Sequence, residues 1–438
     1  MSGQKPRQIA ARILQQRLEG RDYVAELLER ELAGEKLGPA DRGLCQTLVY
    51  GVTRWQMTLD WLIARKTEGR TQKEGLRTLL QLGLFQMFWL ERIPNHAAVH
   101  VTVELAKQLG LGPQAGFVNA VLRGYARERV ETEKLLRELK VSQPALGYSH
   151  PEWIYERWKA RWGAEKAAQL MEWNNSTPPT YARVNQLKTD APKLATRWET
   201  ERVKFAACNW DWTGEGTIFR LEEHTSLAEL RSFKDGLFYV QDPSTLLAVR
   251  ELGPQPNESV LDLCAAPGGK TAFIAELMEN RGRITAQDRE PDRLKLIQEN
   301  CTRLGVTCVE ASVAPTGIIA KPSKRFDRVL VDAPCSNTGV MRRRVDLRWR
   351  IRPEEIERLS AAQLELLRQA APRVKPGGVL IYSTCSVEPE ENNGVVKQFL
   401  NEHPDFKLES ERELTPLAEG VDGAYVAKLR VGPAASTL

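Results

Sequence analysis

Two short segments carry a cysteine just past an apolar run: Val331-Asp332-Ala333-Pro334-Cys335-Ser336 and Tyr382-Ser383-Thr384-Cys385-Ser386. A lone cysteine is usually a small buried hydrophobe. Two at the carboxyl ends of strands point to chemistry, because ligands of open α/β sheets bind along that edge. The chemistry that needs such a pair is addition of a thiolate to C6 of a cytosine, which loads electron density onto C5 for attack on a sulfonium methyl group. Protonation at N3 must accompany the attack. Asp332 is placed to hydrogen-bond to N3 and help protonate it, and the second thiol to assist loss of the C5 proton and release of the enzyme. The residues alone leave open which thiol attacks.

A third segment, Val260-Leu261-Asp262-Leu263-Cys264-Ala265-Ala266-Pro267-Gly268-Gly269-Lys270-Thr271, reads as a strand running through a glycine turn into a helix. Adjacent glycines let backbone approach a ligand at a helix N-terminus. Lys270-Thr271 suggests a nucleoside triphosphate loop, but Cys264 stands where that motif needs glycine. Asp288, about 20 residues beyond the glycines, can accept hydrogen bonds from ribose hydroxyls. Loop and aspartate together suit an adenosine-containing cofactor, against the plainer alternative of a tight turn and a helix cap. His96 and His100 have a metal-ligand spacing, but Ala97-Ala98-Val99 between them lacks the glutamate of a zinc protease helix, so no metal site is expected.

The elements that must hold these segments follow from the apolar pattern. Runs at Val260 to Leu263, Ile284 to Gln287, Arg328 to Val331 and Val379 to Tyr382 alternate with helical stretches, which predicts a Rossmann-like, doubly wound α/β domain over 236–438. Residues 1–145 read as all-α, with apolar helical periodicity at Leu44 to Trp61, Leu79 to Leu90 and Ala97 to Leu109. In the first helix Arg7, Arg12, Arg17 and Arg21 occupy polar positions, as either a solvated face or a phosphate-binding one. Trp153, Trp158, Trp162 and Trp173 interleave with Arg157, Lys159 and Arg161, which fits core packing or base stacking. Pro178-Pro179 breaks the helix that precedes it, and 146–235 reads as a small α+β linker module.

Composition sets the outer limits. The chain of 438 residues is 42% hydrophobic and 27% charged, a globular balance for two or three domains. No apolar run nears the ~20 residues that span a bilayer, so a cytoplasmic, membrane-free protein is expected. Seven cysteines without CxxC pairs suit reduced thiols. A net charge of +5 permits a nucleic-acid partner without requiring one.

On Asp332-Ala333-Pro334-Cys335 and Thr384-Cys385-Ser386 the chain resembles the RNA cytosine-C5 methyltransferases, the NOP2/Sun family. That resemblance implies S-adenosyl-L-methionine as cofactor, Cys385 as the nucleophile and Cys335 as the thiol assisting release. It implies cofactor binding by Cys264, Ala265, Ala266, Pro267, Gly268, Gly269 and Lys270, with Asp288 and Asp332. Gly339, Arg342, Asp346, Arg348 and Trp349 resemble the segment that follows the Pro-Cys motif. Asp41-Arg42 and Phe117 to Arg123 are similar to a NusB-type RNA-binding domain. The order NusB-like domain, linker, methyltransferase implies small-subunit (16S) ribosomal RNA as partner, naked or in an assembly particle, and a monomeric enzyme. Two positions depart from the family: Ser312, at about the place where an aspartate near the adenine is usual, and Val345, where a proline is common. The competing readings are a binding factor that kept the fold without activity, disfavoured by the intact thiols and aspartates, and C5 methylation of another RNA such as tRNA.

Overall fold

The computed structural model describes residues 4–20, 22–224, 226–315 and 324–432; Arg21 lies outside them. The chain forms two compact units, one of Met1–Thr177 with Met341–Arg350, the other of Pro178–Val340 with Ile351–Leu438.

The first unit is helical. Its early helices, Lys5–Glu19, Val24–Ala33, Pro39–Arg54, Gln56–Lys66, Glu74–Trp89, Asn95–Gln108 and Ala115–Arg127, enclose a core that includes Ile9, Ile13, Leu48, Val52, Leu79, Leu122 and Tyr125. The helix Lys5–Glu19 packs on Pro39–Arg54 and on Glu74–Trp89, so most of its circumference meets protein. That position takes Arg7 and Arg17 out of the polar face the sequence suggested, while Arg12 stays exposed. Arg7 is buried and its Nε donates to Gln86 Oε1 at 2.6 Å. Arg12 pairs with Glu31 at 2.7 Å. Arg17 donates to Gln56 Oε1 at 2.7 Å, and burial lowers its pKa to about 10. The tryptophans divide: Trp158 is core, whereas the Arg161 guanidinium lies 4.3 Å from the Trp162 ring centroid.

Residues 341–350, which the sequence reading counted with the α/β domain, use their side chains inside this helical unit. Asp346 Oδ2 accepts from the Val24 N–H at 2.8 Å, and Trp349 Nε1 donates to the Thr53 carbonyl at 2.7 Å. The fully buried Arg348 donates to Asn175 Oδ1 at 2.8 Å and to the Asn174 carbonyl at 3.0 Å. The Arg342 guanidinium covers the Trp173 ring at 3.8 Å.

The second unit holds two sheets. In the smaller, β1 (Thr180–Val184), β2 (Lys204–Cys208), β3 (Ile218–Glu223) and β4 (Phe238–Val240) run antiparallel in the order β2-β3-β1-β4. Trp198, from the helix Ala191–Thr200, fills its core against Phe205, Phe219 and Phe238. The larger sheet contains β5 (Ser259–Leu263), β6 (Arg283–Asp288), β7 (Val309–Val313), β8 (Phe326–Asp332), β9 (Val374–Thr384), β10 (Phe406–Leu414) and β11 (Ala424–Val431), in the order β10-β11-β9-β8-β5-β6-β7. The five strands from β9 to β7 are parallel, and β10 and β11 are antiparallel additions at one edge. The parallel strands are near-continuous apolar runs because both faces are covered, one core holding Val260, Ile284 and Leu330, the other Leu261, Val329 and Val331. Among the described residues no helix is long and apolar enough to cross a membrane.

Candidate active site

Sheet register brings the two cysteines together. In the parallel pair β8–β9, Asp332 lies opposite Ser383, so chains leaving the two strands carry Cys335 and Cys385 out of the same edge. Their sulfurs are 3.3 Å apart. Cys385 is part-exposed and donates to Asn337 Oδ1 at 3.0 Å, while Cys335 is buried. The hydrogen bond with Cys385 comes first among the influences that hold the Cys335 thiol well above its ordinary pKa, followed by burial and the nearby charge of Glu391. The pair thus combines a reachable sulfur with a neighbour that keeps its proton.

The loops are tied to each other by backbone as well. Gly339 N–H donates to the Cys385 carbonyl at 3.0 Å, and a Cβ on Gly339 would stand 2.7 Å from that oxygen, so only glycine allows the approach. Asn337 adopts φ +57°, a left-handed conformation asparagine tolerates, and its amide donates to the Cys335 carbonyl at 2.7 Å.

Asp332, at the end of β8, accepts from Lys270 Nζ and from Ser383 Oγ, both at 2.7 Å. Burial alone would lower the Lys270 pKa, but the charge of Asp332 and this hydrogen bond raise it, leaving a firmly held ammonium. Lys270, taken from sequence as part of the cofactor loop, therefore also stands in contact with the aspartate beside the thiols.

The loop after β5 is built for backbone contact. Cys264 has φ +63° and Gly268 φ +98°, and a Cβ on Gly268 would lie 3.3 Å from the Ile297 Cα. Ala265 N–H donates to the Gln287 carbonyl at 2.9 Å, and Ala266 N–H to Asp288 Oδ2 at 3.2 Å. The buried Asp288 thus braces the loop, with Arg293 3.4 Å from its other oxygen. A cavity beside it is lined by Leu263, Cys264, Arg289, Ala314, Leu366 and Arg373. Cys264 is the loop residue that lines this recess, and Gly268-Gly269 lead into the N-terminus of the helix Gly269–Leu277, a backbone setting open to a ligand. Ser312 sits on β7, its hydroxyl 3.4 Å from Gln287 Nε2.

Three polar residues of this region were not singled out by sequence reading. Asp262, wholly buried on β5, accepts from Thr271 Oγ1 at 2.6 Å, while its Oδ1 has no partner among the described residues. Burial pushes its carboxyl to about 7, helped by the charges of Asp332 and Asp288 and opposed by the Thr271 bond and Lys270. Asn337 and Glu391 are the others; the signal for them was proximity to the Cys335 and Cys385 motifs. His96 and His100 are exposed, and no group of three metal-binding side chains occurs among the described residues.

Comparison with known proteins agrees with this architecture. Residues 249–434 match the family described as 16S rRNA methyltransferase RsmB/F, residues 4–127 the NusB family, and residues 150–214 the ferredoxin-like domain of RsmF/B-like methyltransferases. The chain is 36% identical to ribosomal RNA small subunit methyltransferase B of Erwinia tasmaniensis, over 96% of this chain and 97% of that one. Identity to the protein of the same name in Escherichia coli is 35%, over 97% and 98%. Among solved structures, NSun6 from Pyrococcus horikoshii with SFG aligns over 64% of this chain and 98% of its own, at 25% identity and a TM-score of 0.55.

Proposed function

Since the chain belongs to the RsmB/F family of S-adenosylmethionine-dependent methyltransferases, we propose that it methylates C5 of a cytosine in 16S ribosomal RNA through a covalent adduct of Cys385. The observation that carries this reading is the sulfur pair, 3.3 Å apart beside the Asp332–Lys270 ion pair.

Cys385 is the better nucleophile of the two because its sulfur is part-exposed, whereas Cys335 is buried and keeps its proton. Its thiolate adds to C6 of an extruded cytosine, forming the C6–S bond and moving the ring electrons toward C5 and N3. Asp332 already accepts from Lys270 and Ser383, so it serves as an acceptor that orients the base, and the Lys270 ammonium is the nearby acid for N3. The cofactor, held by the Cys264 to Lys270 loop and Asp288, supplies a methyl group on a positively charged sulfur. After transfer, Cys335 passes its proton to the departing Cys385 sulfur and takes the C5 proton in its place, N3 returns its proton to Lys270, and breaking of the C6–S bond restores the aromatic ring.

The helical residues 1–145 and the module of 146–235 are read as the RNA-binding parts, and 236–438 as the catalytic part, working as a monomer on naked RNA or an assembly particle. Phosphate contacts would position the RNA and an unpaired cytosine would enter the site. The test is transfer from labelled S-adenosylmethionine to 16S rRNA lacking its modifications, followed by nucleoside analysis. Labelled 5-methylcytosine from the wild type and none from Cys385→Ala is the expected result; no product on RNA or particles would favour a binding factor.

A further inference from the structure

Glu391 follows Cys385 by six residues and is fully buried. One carboxylate oxygen accepts from the Ser336 N–H at 2.8 Å and from Gln363 Nε2 at 3.0 Å. The other accepts from the Ser386 hydroxyl at 2.5 Å and from the Ser336 hydroxyl. Ser336 directly follows Cys335, and Ser386 directly follows Cys385. The two serine hydroxyls also meet each other at 3.1 Å. Gln363, on the helix Pro353–Ala370, anchors the arrangement further by donating to the Pro334 carbonyl at 2.9 Å.

A buried carboxylate is costly unless its oxygens are saturated with donors. Here the donors come from both cysteine loops and from a helix behind them, so the group acts as a bracket between two loops that leave separate strands. Sheet register alone fixes the strand ends at Asp332 and Ser383. Beyond those residues the Gly339–Cys385 backbone bond and the Cys385–Asn337 bond also join the loops, and Glu391 adds a tie at the residue directly after each cysteine.

We propose that Glu391 is a positioning residue for methyl transfer, its single carboxylate binding the residue after each cysteine and thereby setting the spacing of the two thiols. This rests on the reading of Cys385 and Cys335 as the reacting pair. Glu391 acts through Ser336 and Ser386, and the same tie links the attack and release steps by holding one sulfur against the other.

The experiment compares wild type, Glu391→Ala, Glu391→Gln and the double variant Ser336→Ala/Ser386→Ala. Melting curves, cofactor affinity by calorimetry, and kcat and KM for the labelled transfer are measured for each. Glu391→Ala loses all four contacts and should lower kcat by about 100-fold, the size expected for a misplacement near 1 Å, with cofactor affinity kept within about twofold. Glu391→Gln can offer its amide oxygen to the Ser336 N–H and Gln363 while the hydroxyls rotate to accept, so it should return to within about tenfold of wild type. The double serine variant keeps the carboxylate buried with two donors and should lower kcat by about tenfold at unchanged cofactor affinity, which decides the matter if Glu391→Ala does not fold.

Wild-type kcat in a folded Glu391→Ala, or in the double serine variant should Glu391→Ala not fold, overturns the bracket. So does a fall in kcat matched by an equal fall in cofactor affinity, or a Glu391→Gln no better than Glu391→Ala. A wild type that makes no 5-methylcytosine instead overturns the functional reading, and the bracket with it.

Discussion

Cys45 and Cys335 are both buried thiols with raised pKa values, yet they sit in opposite kinds of surroundings. Cys45, in the helix Pro39–Arg54, is packed within the apolar core of the helical unit, and burial pushes it to about 11. Cys335, past the end of β8, is raised first by its hydrogen bond with Cys385, and it lies among Asn337, Ser336 and Glu391. The first thiol keeps its proton because burial outweighs the charges of Arg12 and Arg42, which favour the thiolate. The second keeps it because a neighbouring sulfur shares it, which is the condition for passing it on. Cys264 is intermediate: burial pushes it to about 12 in the glycine loop, so its contribution there is backbone shape rather than sulfur chemistry.

Substitutions can break that contrast. The largest effect is expected at the pair itself: Cys385→Ala should lower methyl transfer by ~1,000-fold or more and abolish covalent capture. Cys335→Ala should instead accumulate a protein–RNA adduct stable to denaturing electrophoresis. If Cys335→Ala forms no adduct while Cys385→Ala does, the two roles are exchanged.

Asp262 extends the contrast to a carboxyl governed mainly by burial. Its folded pKa of about 7 lies above the unfolded value near 4, so the folded state holds a proton that the unfolded chain has lost between those values. Its contribution is therefore full below about pH 4 and declines as pH rises to about 7, by up to ~1.4 kcal/mol per unit. Asp262→Asn should remove that slope, so its stability relative to wild type rises between pH 5 and 7.5 in denaturant titrations. A parallel pH dependence in both proteins would count against a neutral Asp262.

Gly268 tests the loop that works through backbone. Alanine at φ +98°, with a Cβ 3.3 Å from Ile297 Cα, should weaken cofactor binding by about tenfold. The value of kcat at saturating cofactor should change little, and calorimetry beside steady-state kinetics separates the two. The smallest effect belongs to Cys45→Ala, which should cost about 1 kcal/mol in stability and leave transfer at the wild-type rate. Reduced transfer in that variant would mean that the contrast between the thiols is drawn wrongly.

Much of the α/β unit was legible because its strands are short apolar runs with both faces buried. Val260 to Leu263, Ile284 to Gln287 and Arg328 to Val331 each fall inside an observed strand. The first helix was less legible: Arg7 looks like a surface residue until two helices pack across it, and then its guanidinium needs Gln86. Residues 341–350 follow the Pro-Cys motif in sequence, and nothing in their order reports that Asp346, Arg348 and Trp349 bond within the helical unit.

By itself the sequence determined the alternation of strand and helix, the glycine turn, and two cysteines at strand ends, because these depend on local periodicity and backbone freedom. Only the tertiary structure decided that Asp332 meets Ser383 and Lys270, that the sulfurs lie 3.3 Å apart, and that Glu391 spans both loops. Those relations join residues 50 or more positions apart, or loops from neighbouring strands. Strand order and register set them, and a burial pattern along one chain does not encode which strand becomes the neighbour.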